Sequence, residues 1–224
     1  MLDKQAVIII YGPPGSGKGT QAKKLADYLD LEHFDTGRII EKKVYNPESQ
    51  NDPIIQREKA NFEKGLVCTS EWVAEIVKEG IKKVHQAKKG IVFSGSPRTL
   101  HEAKEIIPIL EDLYGKDNIR VLRLNIRPKT SIFRNSHRRI CQKCGYAVVY
   151  SPENEKLEEC SKCSGKLVRR ILDKPEIIKV RLGEYKEGTE PIFEFLAERG
   201  IKIIDIDGEL PVEEVYQNIL KFLK

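Results

Sequence analysis

The chain has 224 residues, enough for one large domain or for a domain carrying small insertions. Hydrophobic residues make up 40% and charged residues 33%, so it can bury a core and keep a solvated surface. Its 39 Lys and Arg against 34 Asp and Glu leave a net charge of +5, spread along the chain; this does not by itself point to nucleic acid and equally suits a site for polyanionic nucleotides. No apolar run approaches the length of a membrane span. The run at 6–11 is also too short for a signal-peptide core and ends in a glycine turn, so a cytosolic protein with no membrane partner is expected.

Short β-branched runs alternate with helical patterns. Strands are predicted at 6–11, 32–34, 91–94, 121–126 and 202–206, as continuous apolar runs suited to burial on both faces. Between them, Ala22, Leu25, Ala26 and Leu29 share one helix face. So do Val73, Ile76, Val77, Ile81 and Val84, and likewise Ala103, Ile106, Ile107, Leu110 and Leu113. Such alternation predicts an α/β fold with a five-stranded parallel sheet flanked by helices. Two stretches break the pattern, a polar one over 39–69 and a cysteine-bearing one over about 140–169, and both read as insertions. The core is then expected to comprise 1–38, 70–139 and 170–224.

The first strand runs into Gly12-Pro13-Pro14-Gly15-Ser16-Gly17-Lys18-Gly19-Thr20, and a helix begins near Lys18. Strand, glycine loop and helix in that order make a phosphate loop of the P-loop NTPase type. Its glycines let backbone N–H groups point inward, and the positive helix end holds phosphate oxygens. Lys18 adds a compact charge for the outer phosphates. The general pattern has Ser or Thr directly after the lysine; here Gly19 intervenes and Thr20 follows. Such a loop predicts triphosphate binding, not a reaction.

Arginines recur downstream, and guanidinium forks match phosphoryl oxygens better than ammonium groups do. Arg139 and Arg169 read as solvated surface charges. Cys141, Cys144, Cys160 and Cys163 form C-x2-C-x15-C-x2-C, a spacing that places four thiolates around a structural Zn²⁺; two disulfides are the alternative. Lone Cys68 reads as a packed, inert thiol, and the histidines have no partner at a telling spacing. A zinc ribbon that binds nucleic acid is disfavoured, because the cysteine segment lacks interleaved aromatics for base stacking.

The loop with Gln21 and Ala22, together with Asp35-Thr36-Gly37, Gly95-Ser96-Pro97-Arg98-Thr99, Arg134-(x)3-Arg138-Arg139, Arg170, Asp173 and Lys179-Val180-Arg181-Leu182, resembles the adenylate kinase family over nearly the whole chain. The resemblance implies a P-loop core with an acceptor-binding insertion at 39–69 and a lid at 140–169 that often carries zinc. It implies Mg²⁺-dependent phosphoryl transfer from ATP to AMP by a monomer, with no nucleic-acid partner. It places Gly15, Ser16, Gly17, Lys18, Gly19, Thr20, Arg138, Ala147, Val148 and Leu210 at ATP. Thr36, Gly37, Glu41, Leu66, Val67, Gly95, Arg98, Glu102, Arg170 and Arg181 fall at AMP, and the catalytic set is Lys18, Arg98, Arg134, Arg138, Arg170 and Arg181.

Several positions depart from the family's pattern. Glu41 stands in place of an arginine, Ser94 in place of an acid at the Mg²⁺ water shell, Glu102 in place of a glutamine that reads adenine, and Leu210 in place of a residue that is commonly lysine. An ionised Glu offers acceptors only, which suits an exocyclic amine on adenine or cytosine. The alternatives are therefore a kinase for CMP, UMP or GMP, or a degenerate nucleotide-binding member.

Overall fold

The computed structural model describes residues 5–223. Strand β1 (Val7–Tyr11) is buried throughout and leads through the glycine turn into α1 (Lys18–Leu29). After β2 (Glu32–Phe34), the Asp35 carboxylate caps α2 (Thr36–Val44) by accepting the Arg38 N–H at 3.1 Å. Next come α3 (Pro53–Lys64), α4 (Ser70–Gln86), β3 (Ile91–Phe93), α5 (Leu100–Tyr114), β4 (Ile119–Asn125) and α6 (Pro128–His137). A short excursion then holds β5 (Arg139–Cys141), β6 (Ala147–Val148), the single turn α7 (Pro152–Glu155) and β7 (Leu167–Val168). The chain closes with α8 (Pro175–Glu184), α9 (Pro191–Glu198), β8 (Ile203–Asp207) and α10 (Val212–Leu223). Among the described residues, no helix is long and apolar enough to cross a membrane.

The main sheet is parallel, in the order β2-β3-β1-β4-β8. Side chains alternate across a strand, so β1 feeds two cores. Val7, Ile9 and Tyr11 pack with Val77, Ile81, Ile106 and Leu110 from α4 and α5. On the other face, Ile8 and Ile10 pack with Leu25, Val215 and Ile219 from α1 and α10. Every predicted strand is present. The fourth begins two residues early, at Ile119, because Arg120 interrupts the apolar run in sequence but turns its guanidinium back onto the Asp117 and Ile119 carbonyls.

In the excursion, a three-stranded antiparallel sheet runs β6-β5-β7 around a small cluster of Cys141, Val148, Cys160 and Leu167. Arg139 corrects one expectation. Instead of standing free in solvent, it donates to the carbonyls of Asn154, Glu155 and Leu157 and so ties the segment around α7 to β5. Cys68 is packed as expected, and burial pushes its thiol up to about 12.

Helix α5 starts with a reciprocal cap. Thr99 Oγ1 accepts the Glu102 N–H at 3.2 Å, while Glu102 Oε2 accepts the Arg98 N–H at 2.9 Å. Glu102 is only 1% exposed, and burial pushes its carboxyl from 4.5 up to about 7, although the Arg98 N–H favours the ionised form. The native state therefore holds this proton more tightly than the unfolded chain does. Its contribution to stability is present below pH 4.5 and is lost as the pH rises through about 7. Denaturant titrations of wild type and Glu102→Gln should show wild type losing roughly 2–3 kcal/mol relative to the variant between about pH 4.5 and 8. Parallel curves would exclude a titrating Glu102.

Candidate functional site

The carboxyl ends of all five parallel strands open on one side, where the strand order reverses around β1. At the end of β1 the loop makes two close approaches. Gly12 has φ +147°, and a Cβ there would lie 2.5 Å from the Leu124 carbonyl oxygen. Gly15 has φ +76°, and a Cβ there would lie 2.5 Å from Asn135 Nδ2. Helix α6 braces the loop: Ser131 Oγ donates to Pro14 O at 2.6 Å, and Asn135 Nδ2 donates to Ser131 O at 2.8 Å. No side chain caps α1, whose N-cap is Gly17, so its first-turn N–H groups face the loop as anion donors. Ser16 Oγ is buried with no protein partner.

Lys18 Nζ donates to Gly12 O at 2.6 Å and Pro13 O at 2.9 Å. Burial pushes its ammonium well below the usual lysine range, and Arg98, Arg181 and Arg138 push it further. Arg181 behaves alike: burial first, then Arg138 and Arg98, lowers it to about 9. These groups share one space, and each disfavours its neighbours' charge. Asp173, itself buried, counters two of them. It accepts a bidentate pair from Arg138, both contacts at 2.7 Å, and lies 3.6 Å from Arg181. Arg98 is steadied by Gly95 O at 2.7 Å, with its guanidinium beside Gly37. Arg170 extends the group and pairs with Glu41 at 3.1 Å. A polyanion placed here would relieve the repulsion and accept fork-shaped donors.

Arg134 is placed elsewhere. Its guanidinium donates to Gly208 O at 2.7 Å and Glu209 O at 3.0 Å, and it faces a cavity of about 730 Å³. Gly15, Thr20, Phe133, Ala147, Tyr150 and Leu210 also line that cavity, giving it a polar floor and apolar walls. Val148 points instead into the small sheet's core.

On the opposite side, Thr36 is buried and its hydroxyl has no protein partner. Val67 N–H donates to Glu184 at 2.9 Å, while Leu66 is exposed. Ser94 Oγ lies 2.7 Å from His33 Nε2, and burial lowers the proton affinity of that imidazole against the pull of Asp35. Glu102, expected to read a base, has its carboxylate engaged by Arg98 N–H and Thr99 Oγ1.

The four clustered cysteine sulfurs lie within 4.8 Å of one another, with Cys141–Cys163 at 3.5 Å and Cys144–Cys160 at 3.7 Å. A disulfide requires about 2.05 Å, so none is formed. Tetrahedral thiolates about 2.3 Å from a zinc ion stand about 3.8 Å apart, which these spacings match. Backbone N–H groups of Cys144 and Lys162 point at the Cys141 and Cys160 sulfurs at 3.4 Å, as in a metal knuckle.

Sequence reading missed the bracing by Ser131 and Asn135 and the clamp in which Glu209 accepts from Arg127 and Thr130 across about eighty residues. It also missed Phe133 and Tyr150, whose rings meet at 5.5 Å in the cavity wall. Apart from Asn135 and Ser131, four residues apart on α6, these pairs join residues far apart in sequence, which spacing alone does not reveal.

Comparison with known proteins agrees with this geometry. Residues 10–201 match the family model described as adenylate kinase. A protein of Kosmotoga olearia named adenylate kinase is 34% identical, covering 97% of this chain and 98% of its own. One of Archaeoglobus fulgidus, of the same name, is 32% identical and covers 97% of each. One of Methanosarcina barkeri, again so named, is 33% identical over 97% of this chain and 98% of its own. A phosphate loop, a convergent set of arginines and an agreement running through nearly the full length leave one conclusion: the chain belongs to the adenylate kinase family.

Proposed function

We propose that this chain catalyses reversible phosphoryl transfer from ATP to AMP, giving two ADP, and that the reaction centre is the cation cluster of Lys18, Arg98, Arg138, Arg170 and Arg181. The observation that carries the reading is the position of that cluster, between a base-sized cavity on one side and the Thr36–Gly37 turn with Arg98 on the other. ATP would lie in the cavity with its phosphates on the loop 12–20. AMP would lie against α2 and the 95–99 loop. An AMP phosphate oxygen attacks the γ-phosphorus in line, and the bond from that phosphorus to the β–γ bridging oxygen breaks. The acceptor is already ionised, so no carboxylate need act as a base. Lys18 leaves the Gly12 and Pro13 carbonyls for the transferring oxygens, and the guanidinium groups bear the charge that spreads over them.

Mg²⁺ fits the donor set, since the hydroxyl of Thr20 faces the cavity and hard cations prefer oxygen ligands. When bound with ATP it neutralises charge on the β and γ oxygens. Ser94, tied to His33, offers that cation a neutral oxygen where an acid would serve more strongly. Within this reading, residues 39–69 are the acceptor-binding insertion and 140–169 a lid, with hinges near Arg138 and Arg170 and a structural Zn²⁺ at the four cysteines. The lid's closure would exclude water from the reacting phosphates. We read the protein as a cytoplasmic monomer.

Adenine is the favoured acceptor base, because the relatives matched over nearly the full chain are named adenylate kinase; Glu102, buried and engaged by Arg98 and Thr99, does not decide it. With ATP and Mg²⁺, a panel of AMP, CMP, UMP and GMP should give its highest kcat/KM for AMP; absence of turnover with all four, despite ATP binding, would refute a kinase. Lys18→Met should lower kcat by about a hundredfold or more while the protein stays folded. Stripping the metal and verifying its removal should lower the Tm by about 5 °C or more. An unchanged melting curve would reject a structural metal.

A further inference from the structure

Two carboxylates pair with arginines of the site, and they differ in standing. Asp173 is 2% exposed and is held by Arg138 through two bonds and by Arg181 at longer range, as a permanent counter-ion would be. Glu41 is 39% exposed, stands on α2 and reaches across to Arg170 through a single contact at 3.1 Å. Its partner is the better buried of the two, at 21% exposure. An exposed carboxylate on one contact is readily displaced, whereas a guanidinium beside like charges gains from any anion that approaches it.

We propose that Glu41 occupies Arg170 as an internal stand-in for the acceptor's phosphate, and that the acceptor binds by displacing it. This rests on the functional reading above and deepens it. A carboxylate and a phosphate offer a guanidinium the same pair of acceptor oxygens, so they compete for it rather than share it. The competing carboxylate therefore weakens acceptor binding, and only a ligand that brings its own anion to Arg170 overcomes it. A neutral nucleoside has no such group. Glu41 thus sets the affinity for the phosphorylated acceptor, which must replace it at Arg170, and leaves that for a neutral nucleoside unaffected.

A second contact sets the geometry of the exchange. Arg38, one helical turn before Glu41, lies against Gly145 of the first cysteine knuckle, where a Cβ would stand 2.6 Å from its Cζ. Helix α2 therefore touches the cysteine-bearing segment at Arg38 and the chain just beyond it at Glu41. Displacing Glu41 from Arg170 breaks the link from α2 to the chain just beyond that segment, while Arg38 still lies against Gly145.

The test is calorimetric binding of AMP and of adenosine to wild type and to Glu41→Gln, which keeps the shape and removes the charge. AMP affinity should rise about three- to tenfold in the variant while adenosine affinity stays unchanged. In steady state the KM for AMP should fall with kcat nearly constant, and the KM for ATP should not move. Unchanged or weaker AMP binding would overturn the proposal. So would an equal gain for adenosine, which would mean that the substitution merely opens the site. Glu41→Ala gives the same readout should the Gln variant fail to fold. Wild-type turnover on the acceptor panel tests the kinase reading separately, because the binding comparison needs no catalysis.

Discussion

Everything in this molecule is arranged around the difficulty of gathering like charges in a poorly solvated place. Lys18, Arg98, Arg138 and Arg181 come from four different parts of the chain, and burial and mutual repulsion lower the proton affinity of Lys18 and Arg181. Left to itself such a group would move apart. The parallel sheet prevents this by fixing where each cation starts: Lys18 just beyond β1, Arg98 just beyond β3, Arg138 at the end of α6 and Arg181 within α8. Asp173 then binds two of them at once, which is why removing it would leave charges buried without a counter-ion. Stability is given up at this point of the fold so that charge developing on a phosphoryl group meets donors already in position.

The elements needed to build that frame were legible in the sequence, because they depend on local information. Apolar runs locate the strands within a residue or two, and glycine spacing locates the loop, while the arginines were singled out by their match to the family's segments. Arg134 shows the limit. Its spacing resembles theirs, yet its guanidinium is spent on the Gly208 and Glu209 carbonyls, in a loop that the sequence places more than seventy residues away. Ser131, Asn135 and Glu209 are ordinary polar residues whose roles arise only when α6 lies across the loop. Glu102 was legible as a departure, and Thr99-x-x-Glu102 carries the spacing of a capping box, but its burial was not, and burial is what raises its carboxyl.

The small three-stranded sheet follows a different logic. Its buried cluster is Cys141, Val148, Cys160 and Leu167, so half of it is thiol. So small a set of side chains cannot offset the backbone entropy of ordering the segment around it. A metal joining the four thiolates would supply the missing cohesion, because four coordinate bonds would replace the apolar area that the segment lacks. Arg139 adds to this by gathering three carbonyls around α7.

The two sides of the site recognise their ligands by unequal means. The donor side has a cavity with apolar walls and a backbone cradle, and such a surface reads shape and phosphate more strongly than base identity. On the other side stand buried hydroxyls, a carboxyl titrating near neutrality and the Glu41–Arg170 ion pair. Polar groups of that kind discriminate sharply, since a ligand that fails to replace their partners leaves them unpaired. Under the proposed function, discrimination between acceptors would fall to these polar groups and the phosphate chemistry to the loop and the arginines around Asp173.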